Sequence, residues 1–133
     1  MTASTLRRPG TFTALVPPVL LSCTILWLGM VRTAPPPVSV QYLDKVEHCL
    51  VFAVVAYSYF RAAKSLWPAA SLVRLRFLAS LSAFGLGALL ELLQSYVPYR
   101  SAELLDLVAD AVGAALALVM IHLVDRRPAH GDE

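Results

Sequence analysis

Residues 91–100 read ELLQSYVPYR, and this polar segment joins two long apolar stretches of the chain. Glu91 and Arg100 stand at its ends, and Asp106 and Asp110 follow within the next apolar stretch. An ionisable side chain at the centre of a membrane-spanning helix costs about 2.5 to 3.5 kcal/mol even on the most lenient scale, so such residues are first examined as functional ones. The segment and the two aspartates after it therefore mark the candidate site.

The composition around this segment is that of an integral membrane protein. Of the 133 residues, 58% are hydrophobic and only 15% are charged, a balance that soluble domains rarely have. The net charge is +2, and the basic residues are scattered among apolar runs, which argues against a nucleic-acid partner. Cys23 and Cys49 both lie within apolar runs, where cysteine acts as a small hydrophobic residue.

Four apolar stretches predict an all-α fold, a membrane-embedded four-helix bundle. The predicted spans are residues 12–31, 43–63, 77–97 and 104–124. Each has about 20 residues, which at about 1.5 Å per residue crosses a hydrocarbon core of about 30 Å. A polar segment, residues 1–11, precedes this domain of residues 12–124, and a polar tail, residues 125–133, follows it. The first span is too long for a signal peptide, so we predict a retained helix, bent or starting late at its two prolines.

The distribution of positive charge predicts the orientation of the bundle, because Lys and Arg concentrate in short cytoplasmic loops. Basic residues on one side are Arg7, Arg8, Arg61, Lys64, Arg74, Arg76, Arg126 and Arg127, and those on the other are Arg32, Lys45 and Arg100. Both termini are therefore predicted to be cytoplasmic. The polar residues near 44–48, 91–100 and 106–110 then gather at the extracytoplasmic end.

Helical spacing places these polar residues on shared faces, because residues three or four apart are neighbours on a helix surface. The pairs are Asp44 with His48, Glu91 with Gln94, and Asp106 with Asp110. We therefore expect each pair to point in one direction from its helix.

Small residues at four-residue steps predict how the helices pack. Ala83 and Gly87 precede Glu91 on the third helix, and Ala109 and Gly113 form a similar stripe on the fourth. Such stripes let helix backbones approach closely. We predict that helices three and four pack tightly, with Glu91 pointing into the bundle.

Glu91, His48 and Asp110 are the candidate catalytic residues. Glu91 is a candidate general acid, general base or ion ligand, and its structural alternative is a helix-end carboxylate that reaches water or pairs with Arg100. His48, with Asp44 to orient its ring, is a candidate proton shuttle or metal ligand, or else an interfacial side chain. No spacing matches a metal signature such as H-E-x-x-H, so the metal, any other cofactor and catalysis itself stay open.

Two further residues have competing interpretations. Arg100 suits bidentate capture of a phosphate or carboxylate, and alternatively anchors the chain at the membrane interface. Asp106 favours the dipole at the start of a helix, which explains it without a ligand. Asp110 lies one turn deeper and is not explained in this way.

The ordered motifs resemble the VanZ-like family of small bacterial membrane proteins. They are Asp44-Lys45-x-x-His48, Glu91-x-x-Gln94, Pro98-x-Arg100, Asp106 and Asp110-x-x-Gly113, over roughly residues 40 to 124. The resemblance implies a multi-pass protein of the bacterial inner membrane and, for the family's founder, resistance to teicoplanin, a glycopeptide that binds cell-wall precursors. Two positions depart from the family, which often has Asn in place of Asp110 and Gly in place of Tyr99. The candidate ligand-binding residues are Arg100, Gln94, Asp106, Asp44 and Lys45.

Three functions stay open from the sequence. The favoured one is an envelope protein that binds or modifies an anionic component, with membrane lipids and a lipid-linked cell-wall precursor as expected partners. A non-catalytic scaffold or partner subunit is the alternative, since small-residue stripes also suit packing in an oligomer or against another protein. A proton-coupled carrier needs polar residues throughout the membrane, and the far halves of the helices offer little beyond Ser58, Ser80 and Ser82.

Overall fold

A computed structural model describes residues 10–31, 43–100 and 102–125, which form four α-helices. The helices are α1 (Thr11–Met30), α2 (Leu43–Leu66), α3 (Leu72–Ser95) and α4 (Leu104–Asp125). All four are long and apolar enough to cross a membrane. The prediction of an all-α, four-helix membrane protein is therefore confirmed. The start of the N-terminal segment, the linker with prolines 35–37 and the basic tail lie outside the described residues.

The helices differ in extent from the apolar spans. α2 continues to Leu66 and α3 already begins at Leu72, so residues 67–71 alone connect them, whereas the predicted spans leave a connection of residues 64–76. Long basic side chains reach water from a helix end while the backbone continues its hydrogen bonds, so charge does not end these helices. α1 begins at Thr11 and contains Pro17 and Pro18, where a late start was one expectation.

The core lies between α2, α3 and α4. Phe52 and Phe60 of α2 are almost fully buried, and they pack with alanines of the other two helices such as Ala83 and Ala117. Large side chains opposite small ones let the helices approach, which is the main source of helix association where lipid is as apolar as protein. α1 is peripheral and covers this core with partly buried side chains such as Leu21.

Two glycines set the distances around α4. A Cβ atom at Gly87 of α3 would run into the carboxylate of Asp110, and one at Gly113 would run into the backbone carbonyl of Cys49 in α2. Gly87 of the α3 stripe therefore faces α4, as the spacing predicts. Gly113 instead faces α2, because α4 lies against both helices and offers each a different side.

Gly113→Ala is expected to destabilise the bundle by about 1 to 3 kcal/mol, the usual range for overpacking a close contact. The added methyl group meets backbone, which has no rotamer to yield, so α2 and α4 must separate. Thermal unfolding of the purified chain in detergent measures the loss. Gly85→Ala is the matched control, because a Cβ there has no atom within 4 Å; equal loss in both variants would contradict the assignment.

Candidate functional site

A polar cluster lies where the first turns of α2 and α4 meet the last turns of α3. We define it by the residues Asp44, Lys45, His48, Glu91, Glu103, Asp106 and Asp110. The chain brings all of them to one end of the bundle, because α2 and α4 both begin there and α3 ends there. The cluster contains the three candidate catalytic residues.

His48 and Asp110 form the buried pair of the cluster. Nδ1 of His48 lies 2.7 Å from Oδ1 of Asp110, and the Asp110 side chain is 0% exposed. The imidazole also stacks on Phe52, with ring centroids 6.2 Å apart. The sequence suggested Asp44 as the residue that orients the ring. In the structure Asp110 orients it, whereas Asp44 is exposed and bonds to Lys45. The other ring nitrogen of His48, Nε2, can therefore exchange a proton or bind an ion.

Glu91 points into the bundle and is 8% exposed. Its Oε2 accepts a hydrogen bond from the backbone N–H of Glu103 at 2.9 Å, which fixes the chain just before α4. Its Oε1 is buried and has no hydrogen-bond partner among the described residues. Oε2 thus has a structural explanation, whereas the burial of Oε1 is unexplained by the fold alone.

Lys45 is the centre of an ionic group within the cluster. Its Nζ lies 2.7 Å from Asp44 Oδ2 and 2.6 Å from Glu103 Oε2, and it also contacts Asp106 Oδ1. This ammonium group joins the start of α2 to the start of α4. Three carboxylates surround one cation, so the cluster retains an excess of negative charge.

Three polar side chains, at and just after the C-terminal end of α3, bind the end of α1. All three donate to backbone carbonyls of residues 28–31 at the C-terminal end of α1, where carbonyls have no partner within the helix. The bonds run from Gln94 Nε2 to Gly29 (2.9 Å), from Tyr99 Oη to Met30 (3.0 Å) and from Arg100 Nη2 to Val31 and Leu28. Ligand binding by Gln94 and Arg100 therefore stays a prediction, and their described contacts are structural.

The sequence reasoning missed Glu103 and a second polar pair at the opposite end. Glu103 stands three residues before Asp106, and that spacing was the available signal. At the other end, buried Arg76 donates through Nη1 to Nδ1 of His122 at 2.8 Å. Arg76 falls between the predicted spans, and the earlier start of α3 places it in a helix opposite His122 of α4.

A cavity of about 960 Å³ lies between α1, α2 and α3, away from the polar cluster. Its lining is mainly apolar, and its polar groups include Ser22, Tyr59 and Arg74. Ser22 and Tyr59 are hydrogen-bonded to each other at 2.7 Å. No residue of the polar cluster lines this cavity, so cavity and cluster are separate features.

The side chains of the polar cluster suit proton transfer or ion binding. Two sets of three residues each hold ligand atoms within 4.8 Å of one another: His48, Glu91 and Asp106, and Asp44, Glu103 and Asp106. The first set is the more buried of the two. An imidazole held by a carboxylate next to a second carboxylate is also a common arrangement for general acid and base chemistry.

Comparison with known proteins identifies a family. The model of the family described as VanZ/LLP1 matches residues 6–125. Curated proteins and solved structures give no significant match.

Proposed function

Because the chain belongs to the VanZ/LLP1 family, we propose that this multi-pass membrane protein binds or modifies an anionic component of the cell envelope at its polar cluster. The observation that carries the proposal is the buried carboxylate of Glu91 beside the His48–Asp110 pair. Ionisable groups in a membrane bundle are expensive, and stability alone gives no reason to bury one with an unpaired oxygen. Their convergence favours chemistry over packing.

The proposal puts the polar cluster on the extracytoplasmic side of the inner membrane. The basic residues at the opposite end, Arg61, Lys64, Arg74 and Arg76, support this orientation through the positive-inside rule. The cluster lies at the helix ends, and in this orientation we expect it at the depth of the outer lipid headgroups. A lipid-linked anion, such as a cell-wall precursor, would therefore reach it laterally without leaving the bilayer.

Six residues of the polar cluster then have a role. The ammonium group of Lys45 faces the anion, while Glu103 and Asp106 hold it in place. Glu91 and His48 accept or donate protons, and Asp110 fixes the orientation of the imidazole. Arg100 and Gln94 keep α1 against α3, so that α1 closes this side of the bundle.

Teicoplanin susceptibility of a sensitive bacterium that expresses the chain tests the proposal. The wild type is expected to protect against teicoplanin, and Glu91→Gln is expected to abolish that protection at equal membrane abundance. The reason is that Gln keeps the size of the side chain but neither ionises nor exchanges a proton. Glu47→Gln is the matched control, because Glu47 is an exposed carboxylate near the same end of α2 and outside the polar cluster.

Two outcomes would contradict the proposal in different ways. Full protection by Glu91→Gln would favour the non-catalytic scaffold, in which the polar cluster only fixes helix register. No protection by abundant wild type would separate this chain from the founder's phenotype, and the lipids of a deletion strain would then identify the affected envelope component.

A further inference from the structure

We propose that the polar cluster binds a divalent transition-metal ion, with His48, Glu91 and Asp106 as its ligands and Asp110 as the residue that positions His48. One ligand atom of each of the three residues lies within 4.8 Å of the other two. Ligands about 2.1 Å from one ion lie at most about 4.2 Å apart, so small side-chain rotations bring these atoms into range. The three residues come from three different helices, so the ion would join α2, α3 and α4.

The imidazole of His48 is already arranged as a metal ligand. Asp110 holds Nδ1 at 2.7 Å, which leaves Nε2 for coordination. Metal-binding histidines almost always have their other ring nitrogen held by a carboxylate, a carbonyl or water, and this fixes the ring orientation. The fully buried Asp110 carboxylate fits that second role.

Glu91 supplies an independent sign of a missing partner. Glu91 is only 8% exposed, so more than nine-tenths of it is buried, and its Oε1 accepts no hydrogen bond from any described residue. A buried carboxylate oxygen without a donor is costly. A cation between Glu91, His48 and Asp106 would satisfy that oxygen.

The net charge of the polar cluster also favours a bound cation. It contains five carboxylates, and its only basic groups are Lys45 and His48. An excess of carboxylates over basic groups favours a bound cation. A dication would offset the excess and, through a free coordination position, would bind a phosphate or carboxylate oxygen; this last step rests on the proposed function.

The ligand types select the class of ion. Mg²⁺ and Ca²⁺ prefer oxygen ligands only, whereas an imidazole with carboxylates suits zinc, manganese or iron. Three protein ligands leave at least one position for water or a bound anion, as in catalytic zinc sites.

Metal binding by the purified full-length chain in detergent tests the inference, with Co²⁺ as a coloured probe and Zn²⁺ as the competitor. One Co²⁺ per chain is expected, with visible absorption that Zn²⁺ abolishes. Glu91→Gln is expected to weaken binding at least tenfold, and Asp110→Asn by about 10- to 100-fold, the usual effect of losing a residue that orients a ligand. Glu47→Gln should bind as the wild type does.

The inference is overturned if the folded wild type binds no Co²⁺, or if Glu91→Gln binds it unchanged. Stronger loss in Asp44→Asn than in Glu91→Gln would place the ion in the outer set of carboxylates and would also overturn it. Metal binding without any effect on teicoplanin susceptibility would leave this inference intact and contradict the proposed function. The reverse result would contradict the metal and support the function.

Discussion

His48→Leu is expected to lower the free energy of unfolding by about 3 to 5 kcal/mol, because it leaves a fully buried carboxylate without its partner. The Asp110 side chain is 0% exposed, and its Oδ1 bonds to His48 Nδ1. Asp110→Ala is expected to be milder, because the His48 side chain is 21% exposed and its ring stays in contact with Phe52. Reversible unfolding of the purified variants in detergent measures both losses.

The double variant His48→Leu/Asp110→Ala separates stability from function. Replacing a whole buried pair by apolar groups is often neutral, whereas removing one partner is not. The double variant is therefore expected to be more stable than His48→Leu alone, with a coupling energy of about 0.5 to 3 kcal/mol, yet to give no teicoplanin protection. Strictly additive losses would show that the two side chains do not depend on each other.

The number and place of the helices follow from the sequence for a physical reason. Within a bilayer a helix forms all its backbone hydrogen bonds internally. Each stretch of about 20 apolar residues can therefore be predicted as a helix without knowledge of its neighbours. The sequence also predicts that His48, Glu91 and Asp110 lie at one end of the bundle. Successive spans cross the membrane in opposite directions, so the starts of the second and fourth spans lie on the same side as the end of the third. What hydropathy does not reveal is the end of each helix, since α2 and α3 continue through charged residues to Leu66 and from Leu72.

The partners within the polar cluster could not be predicted from the sequence. Spacing relates residues along one helix, and it therefore paired His48 with Asp44, whereas tertiary packing pairs it with Asp110 across 62 positions of sequence. The contacts of Arg100 could not be predicted for the same reason. The carbonyls at the end of α1 need donors, and no local pattern indicates that a residue 69 positions later provides one.

Gly87→Ala is the substitution that most directly tests how α3 and the polar cluster depend on each other. Its Cβ would overlap the Asp110 carboxylate, so the aspartate must turn away from His48 or α3 and α4 must separate. The expected loss is about 1 to 3 kcal/mol from overpacking, and more if the buried pair breaks. Unfolding in detergent measures the loss, and Gly85→Ala, on the same helix in open space, is expected to show none.

Removing the obstructing carboxylate should cancel much of this effect. In an Asp110→Ala background, Gly87→Ala has no carboxylate to displace, so its added cost is expected to fall well below its cost in the wild type. That result would show that Gly87 is glycine to leave room for Asp110, and that the small-residue stripe of α3 serves the polar cluster as well as the packing of the helices. An equal cost in both backgrounds would instead make Gly87 a packing residue alone, as the scaffold alternative requires.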